Sequence, residues 1–369
     1  MSFAAEMREW LVAVRRDLHR YPEPAWCEFY TTARIVEEIE AIGVDDLLVG
    51  EDILDADARY SVPEQSELDA WRDRAAARGV PEDELATFDG GFTGAIAVLE
   101  RGEGPTVGLR VDIDALPVEE STDPDHYPAA EGFRAEHDDA MHACGHDAHA
   151  TIGLGVLRAV AEGRVEFSGR LKVFFQPAEE VVGGGPAMAE SGHLDDVDYF
   201  LAAHVGLDHP FGEVVAGLEG FLAVSQFRAE FTGEAAHAGG RPAEGRNAIQ
   251  AMTTAVQNLY AIPRHEDGPT RINAGKVGGG TASNIIAEEA YVVGETRGET
   301  TELMAYTRDA ADRILESAAE MHDCEVAIER LGEAPAALSD DAIRAVVGDV
   351  AGRHEGVTSL LDRDDLGGS

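Results

Sequence analysis

Four short stretches, TGAIAVLE, TVGLRVDID, RLKVFFQP and DYFLAAHVG, are apolar along their length rather than at alternate positions. A strand of that kind has to be covered on both faces, which calls for a sheet with helices on either side. Two amphipathic stretches precede them, EMREWLVAVRRDLHRY and EFYTTARIVEEIEAIG, with a PEPAW turn between and a Gly stop after the second. Another helix is expected from near His149 through ATIGLGVLRAVAEG. Apolar strands alternating with helices predict an α/β domain with a mostly parallel sheet. The acidic segment 50–90, with a helical EQSELDAWRDRAAARG flanked by prolines, reads as an insertion.

The pattern changes near residue 220. VSQFRAEFTG predicts a strand, EGRNAIQAMTTAVQNLYAI a helix, TRINAGKVGG and EAYVVGETRG two strands, TELMAYTRDAADRILESAAEMH a helix and CEVAIER a strand. This βαββαβ order is that of a ferredoxin-like unit. The expected organisation is therefore a first domain over 1–219, an inserted α+β domain over 220–329, and a return to the first domain over 330–369, where SDDAIRAVVGDVAGRH is helical.

Composition narrows the function. With 71 acidic against 29 basic residues the net charge is -42, and only two of the basic residues, Lys172 and Lys276, are lysines. The excess is spread along the chain rather than gathered in a tail, which argues against nucleic-acid binding. Self-repulsion of that size is screened by salt, so the chain reads as adapted to a very salty cytoplasm. Cys27, Cys144 and Cys324 are too few and too scattered for a disulfide framework. No apolar run approaches the roughly 20 residues needed to cross a bilayer, and MSFAAEMREW lacks the features of a signal peptide. A soluble cytoplasmic protein with no membrane partner is expected.

Chemistry-bearing residues gather where strands end. Asp112 and Asp114 close TVGLRVDID, where an Asp pair serves equally as a turn or helix cap. MHACGHDAH offers Cys144 and His146 around Gly145, with His142, Asp147 and His149 able to orient ligands by hydrogen bonds. FFQPAEE places Glu179 and Glu180 side by side after a core strand, so that one can bind a metal while the other moves a proton. His204 ends the last apolar stretch. Together they supply carboxylate, thiolate and imidazole for one or two divalent ions.

These four motifs, in this order and followed by a βαββαβ unit, resemble the metallopeptidase family of aminoacylases, carboxypeptidases and amino-acid amidohydrolases. MHACGHDAH and RVDIDALP resemble its hippurate, auxin-conjugate and aminobenzoyl-glutamate hydrolases, and the insertion leading into DGGFTGAIAVL is most similar to the p-aminobenzoyl-glutamate hydrolase type. The resemblance implies Cys144, His146, Glu180 and His204 as metal ligands and Glu179 as general base. It implies that His237, in GEAAHAGGRP, meets the substrate from the partner subunit of a dimer, and that Asn284 and Arg297 hold a substrate carboxylate. An Arg fork suits a carboxylate because it binds both oxygens. Zinc or manganese is the implied cofactor, two ions in a complete site, and the partner a second copy or a homologous subunit. The family carries one further ligand His after a GSED-like motif. This chain ends DRDDLGGS at Ser369, so the resemblance implies either a truncated return of the first domain or a metal site completed differently.

The expected activity is metal-assisted hydrolysis of N-acyl or N-aroyl amino acids, p-aminobenzoyl-glutamate among them. Two alternatives stand beside it: a cysteine hydrolase with Cys144 as nucleophile, and a catalytically incomplete metal-binding subunit.

Overall fold

Strands β1 (Asp46–Val49), β2 (Ala95–Arg101), β3 (Thr106–Asp112), β4 (Gly169–Gln176) and β5 (Tyr199–Ala202) form one sheet in the order β1-β2-β4-β3-β5. β3 is parallel to β4 and β5, whereas β2 is antiparallel to β4 and β1. All strands but β2 thus point one way, as the apolar stretches predict. The computed structural model describes residues 3–206 and 209–365, and the chain divides into two units, Met1–Asp208 and His209–Ser369.

Helices α1 (Phe3–Arg20), α2 (Phe29–Ile42), α3 (Gln65–Ala77), the single turns α4 (Glu82–Leu85) and α5 (Tyr127–Ala130), α6 (His146–Ala161) and α7 (Gly184–Glu190) complete the first unit. Alternate residues of β2 feed two cores. Ala95, Ala97 and Leu99 pack with Val14 and Leu18 of α1, Ile35 and Ile39 of α2, and Leu154 and Leu157 of α6. Ile96 and Val98 pack with Leu68 and Trp71 of α3, Leu85 and Phe88. The acidic 50–90 segment therefore covers one face of the sheet, and each large side chain it buries contributes roughly 1.5–3 kcal/mol.

Local chemistry sets the helix ends. The buried Glu23 carboxylate accepts the N–H groups of Tyr30 at 2.9 Å and Thr31 at 2.8 Å, satisfying free donors in the first turn of α2. Helix α6 begins at His146, three residues before the expected start. Gly145 takes φ +94° there, and a side chain at that position would meet Val205 at 2.8 Å.

In the second unit, β6 (Glu213–Val215), β7 (Leu218–Glu219), β8 (Ala223–Thr232), β9 (Ala236–His237), α8 (Ala248–Leu259), β10 (Thr270–Gly279), β11 (Ile285–Ile286), β12 (Glu289–Gly298), α9 (Thr301–Met321), β13 (Glu325–Ala334), α10 (Asp341–Ala351), β14 (Ser359–Leu361) and β15 (Asp364–Asp365) follow in order. β10-β12-β8-β13 is an antiparallel sheet, so β8-α8-β10-β12-α9-β13 is the expected βαββαβ unit. Phe227, Phe231 and Val292 of the sheet pack with Ala251 and Ala255 of α8 and Leu315 of α9. Asn247 and Thr300 cap the two helices through their side-chain oxygens. Among the described residues, no helix is long and apolar enough to cross a membrane.

Candidate metal centre

The centre lies in the first unit, at the ends of β3, β4 and β5 and the start of α6. β3 leads into Asp114, which is 1% exposed. Its Oδ1 meets His146 Nδ1 at 3.3 Å and its Oδ2 accepts the Glu180 N–H at 3.0 Å. One carboxylate therefore orients two of the expected ligands. With Nδ1 spent on Asp114, Nε2 is the ring atom His146 offers to a cation.

His204 follows β5. Its Nδ1 donates to the Val205 carbonyl at 2.7 Å, so Nε2 carries the lone pair, and it faces Cys144 Sγ at 3.5 Å. Glu180 Oε1 lies 3.7 Å from His146 Nε2, and Glu179 Oε2 lies 3.8 Å from the same atom. Ligand atoms of Cys144, His146 and Glu180 fall within 4.8 Å of one another. Around a single zinc, bonds of about 2.0–2.3 Å bring ligands this close.

Two buried atoms support a cation. His146 Nε2 and Glu180 Oε1 have no hydrogen-bond partner among the described residues, although each is sealed from solvent. Polar atoms left so are costly unless something binds them. Protons report the same demand. Burial works against charge on His146, yet Asp114, Cys144 and Asp112 outweigh it and push its pKa up to about 11. Burial and neighbouring carboxylates push Glu180 up to about 7, and burial raises Glu179 as well. The residues present fit a divalent ion.

Asp112, His146, His149 and His204 also lie within 4.8 Å of one another, but His149 is not available. Its Nε2 accepts the Val205 N–H at 2.8 Å and its Nδ1 donates to Asp112, whose other oxygen pairs with Arg110 at 2.7 Å. His149 thus orients the segment carrying His204, the role its motif allowed. Asp147, also expected to orient ligands, instead faces Arg15 at 2.7 Å and His19 at 2.9 Å, and Gly145 occupies the N-cap of α6. The sequence offered no sign of Arg110 or of Glu28, whose buried carboxylate accepts the Ala178 N–H at 2.8 Å; a lone acid between Cys27 and Phe29 was the only trace.

The other expected residues belong to the second unit. His237 is exposed on β9, opposite Ile285. Its Nδ1 accepts the N–H groups of Gly239 at 3.1 Å and Gly240 at 2.9 Å, which leaves Nε2–H as an outward donor. The Ala238 N–H reaches the Asn284 carbonyl at 2.9 Å, so His237 and Asn284 share one corner. Arg297 lies elsewhere on this unit, roughly 23 Å along β12 from Ala290 at 3.3 Å per residue. It faces Arg271 across the β10–β12 pair, and Glu295 holds its fork at 2.9 and 3.2 Å. The two arginines line a cavity of about 400 Å³ with Leu222, Pro269 and Glu299.

An α/β sheet that brings thiolate, imidazole and paired carboxylates together at its strand ends defines a metallohydrolase. The chain belongs to peptidase family M20/M25/M40, whose model matches residues 108–367. Membership makes it a metal-dependent hydrolase of amide bonds. It is 41% identical to the indole-3-acetyl-aspartic acid hydrolase of Enterobacter agglomerans, over 97% of this chain and 81% of that protein. It is 37% identical to one subunit of the p-aminobenzoyl-glutamate hydrolase of Escherichia coli K12, over 98% and 82%. The crystal structure of an aminobenzoyl-glutamate utilization protein from Klebsiella pneumoniae superposes with a TM-score of 0.88 at 34% identity, over all of this chain and 86% of that one.

Proposed function

We propose that this hydrolase cleaves the amide bond of N-acyl or N-aroyl amino acids, with p-aminobenzoyl-glutamate as the favoured substrate. The observation that carries the reading is the convergence of two unpartnered buried atoms, His146 Nε2 and Glu180 Oε1, beside Cys144 and His204. Two relatives support the substrate class, since both are named for conjugates of acidic amino acids.

Cys144, His146, Glu180 and His204 hold zinc or manganese, two ions in a complete site. When bound, the metal lowers the pKa of water and polarises the amide carbonyl. Glu179, raised by burial and 38% exposed, takes the water proton and returns it to the leaving amine nitrogen. His237, presented by the partner in a dimer, donates Nε2–H to the developing oxyanion. Asn284 and Arg297 remain the residues assigned to substrate binding, but at separate places: Asn284 beside His237, and Arg297 in the cavity it lines with Arg271. The dimer is a homodimer or a pair with a homologous subunit, and the setting is a salty cytoplasm. Domain bounds at 1–219, 220–329 and 330–369 are part of this reading; β14 pairs in parallel with β6 and β15 with β7, so 359–365 joins 213–219 rather than the βαββαβ sheet.

The test is release of p-aminobenzoate by protein purified in high salt, before and after chelation and after return of zinc or manganese. Activity lost on chelation and restored by metal supports the reading, and chelator-resistant turnover sinks it. Resistance would favour the cysteine hydrolase, for which the 3.5 Å approach of Cys144 to His204 is the supporting contact. Stoichiometric metal without turnover would favour the incomplete subunit.

A further inference from the structure

The turn that carries Glu179 and Glu180 is held in an unfavourable shape. Ala178 at φ +52° and Val182 at φ +54° both occupy the left-handed region, which a β-branched residue rarely enters. Within the turn, the N–H groups of Gly183 and Gly184 both reach the Ala178 carbonyl at 3.0 Å, and the Val182 N–H reaches Glu179 O at 2.8 Å. Those bonds close the turn on itself but do not anchor it to the sheet.

The anchors are two buried carboxylates on either side of Glu179. Asp114 takes the Glu180 N–H, as described, and Glu28 Oε1 takes the Ala178 N–H at 2.8 Å. The second oxygen of Glu28 accepts the Thr93 hydroxyl at 2.6 Å, and Glu28 is 0% exposed. Around it the backbone is packed too closely for adjustment. A side chain at Gly94 would meet Phe175 O at 2.6 Å and Pro177 at 2.8 Å, and the Gly94 N–H is held by Thr32 at 2.9 Å.

The 50–90 segment locks this support from outside. Trp26, itself at φ +66°, donates Nε1–H to the Tyr60 carbonyl at 2.8 Å, and Arg59 stacks over the Trp26 ring at 4.4 Å and the Phe92 ring at 4.1 Å. Gly183 lies against the same pair: a side chain there would meet Tyr60 O at 2.5 Å and Trp26 Nε1 at 3.2 Å. The Asp55 N–H reaches Ala187 O at 2.8 Å just beyond the turn. The insertion therefore touches both the residues beside Glu28 and the far end of the Glu179–Glu180 turn.

We propose that Glu28 is a positioning residue, braced by the 50–90 segment, that fixes the Ala178–Glu180 backbone so that Glu180 meets a metal and Glu179 meets the reacting water. Only the role toward water rests on the amidohydrolase reading; the metal part stands without turnover. A buried carboxyl group is suited to the task because its two oxygens hold the Ala178 N–H and the Thr93 hydroxyl in fixed directions, which an apolar residue of the same size cannot do.

Three variants test it: Glu28→Ala, Glu28→Gln and Thr93→Val. The readouts are zinc affinity by competition with a chromophoric chelator, kcat and KM on p-aminobenzoyl-glutamate, and the melting temperature in high salt. Glu28→Ala should weaken zinc binding about tenfold to a hundredfold, and lower kcat by a similar factor with KM within about twofold. Glu28→Gln retains an oxygen for the Ala178 N–H and should recover most of the zinc affinity. Thr93→Val, which removes one hydroxyl, should move zinc affinity in the same direction by a smaller factor and decides the matter if Glu28→Ala does not fold. Lower melting with zinc affinity and kcat unchanged in the folded variants would overturn the proposal. So would a Glu28→Gln variant no better than Glu28→Ala. Wild-type protein that binds zinc but hydrolyses nothing overturns the amidohydrolase reading instead, and the zinc measurement still decides the role of Glu28.

Discussion

His149 accepts the backbone N–H of Val205 at 2.8 Å, and this bond places the neighbouring His204 ring against Cys144. Because Nδ1 of His149 is spent on Asp112, the residue acts on the centre only through others. His149→Ala should therefore weaken zinc affinity about tenfold to a hundredfold while leaving the saturating zinc content unchanged. Elemental analysis at saturating zinc checks this; a lower saturating content would make His149 a ligand.

Glu179 and Glu180 are adjacent yet assigned different work, and exchange of each for glutamine separates them. Glu179→Gln should keep its metal and lose about 10²–10⁴ in kcat. Glu180→Gln should lose metal first, with activity returning at high metal concentration. Kinetics and metal content measured on the same preparations distinguish the two; equal metal loss in both would contradict the division.

A pH effect is expected away from the centre. Burial opposes charge on His19, but hydrogen bonds and attraction from Asp147 and Glu120, at 2.9 and 3.0 Å, outweigh it and raise its pKa above 6.5. The folded chain then binds the extra proton. The stabilisation is complete below the unfolded value and is lost as pH rises through the folded one. Arg15 and His126 also face these carboxylates, and the neighbouring His142, pushed down to about 4 by burial, stays neutral. Glu23 and Glu28, raised to about 7 and about 8 by burial, add a slope of the same sign, so the informative quantity is the difference between wild type and His19→Asn. Denaturation of the metal-free protein from about pH 6 to 9 should show that difference shrinking as pH rises. A constant difference would mean that His19 is neutral in the fold.

The net charge of -42 predicts a salt effect on substrate capture. An anionic acyl amino acid is repelled at low ionic strength, and screening removes the repulsion because the Debye length falls from about 10 Å at 0.1 M to about 3 Å at 1 M salt. KM should fall as potassium chloride rises across that range. Steady-state kinetics at fixed pH test it, and a flat or rising KM contradicts it.

Much of the fold was legible: the apolar stretches became β2, β3, β4 and β5, and β10 and β12 match their predicted spans. Cover on both faces holds for β2 and β4, whereas β5 is an edge strand whose Tyr199 and Phe200 stay exposed, so its apolar run did not signal burial. Cys144, His146, Glu180 and His204 were legible as candidates because each lies within four residues of a strand end or a helix start. Less visible were features set by single backbone angles or distant partners. The start of α6 depends on Gly145 adopting φ +94°. The β9–β11 pair is two residues long on each side and carries no periodicity. Glu28 meets Ala178 across 150 positions, and no local pattern marks such a bond.

Those separations fix when the ion can enter. The residues that would hold it come from 144, 146, 180 and 204, and their supports from 28, 112 and 114, so an unfolded chain offers a cation little beyond the short Cys144–Gly145–His146 step. A zinc finger gathers its ligands locally and folds around the metal. Here β3, β4, β5 and α6 must already be docked. With those ligands, metal supply would not instruct the folding of this chain but would reward the finished fold: at a free concentration one hundred times the dissociation constant, binding would add about 2.7 kcal/mol to stability.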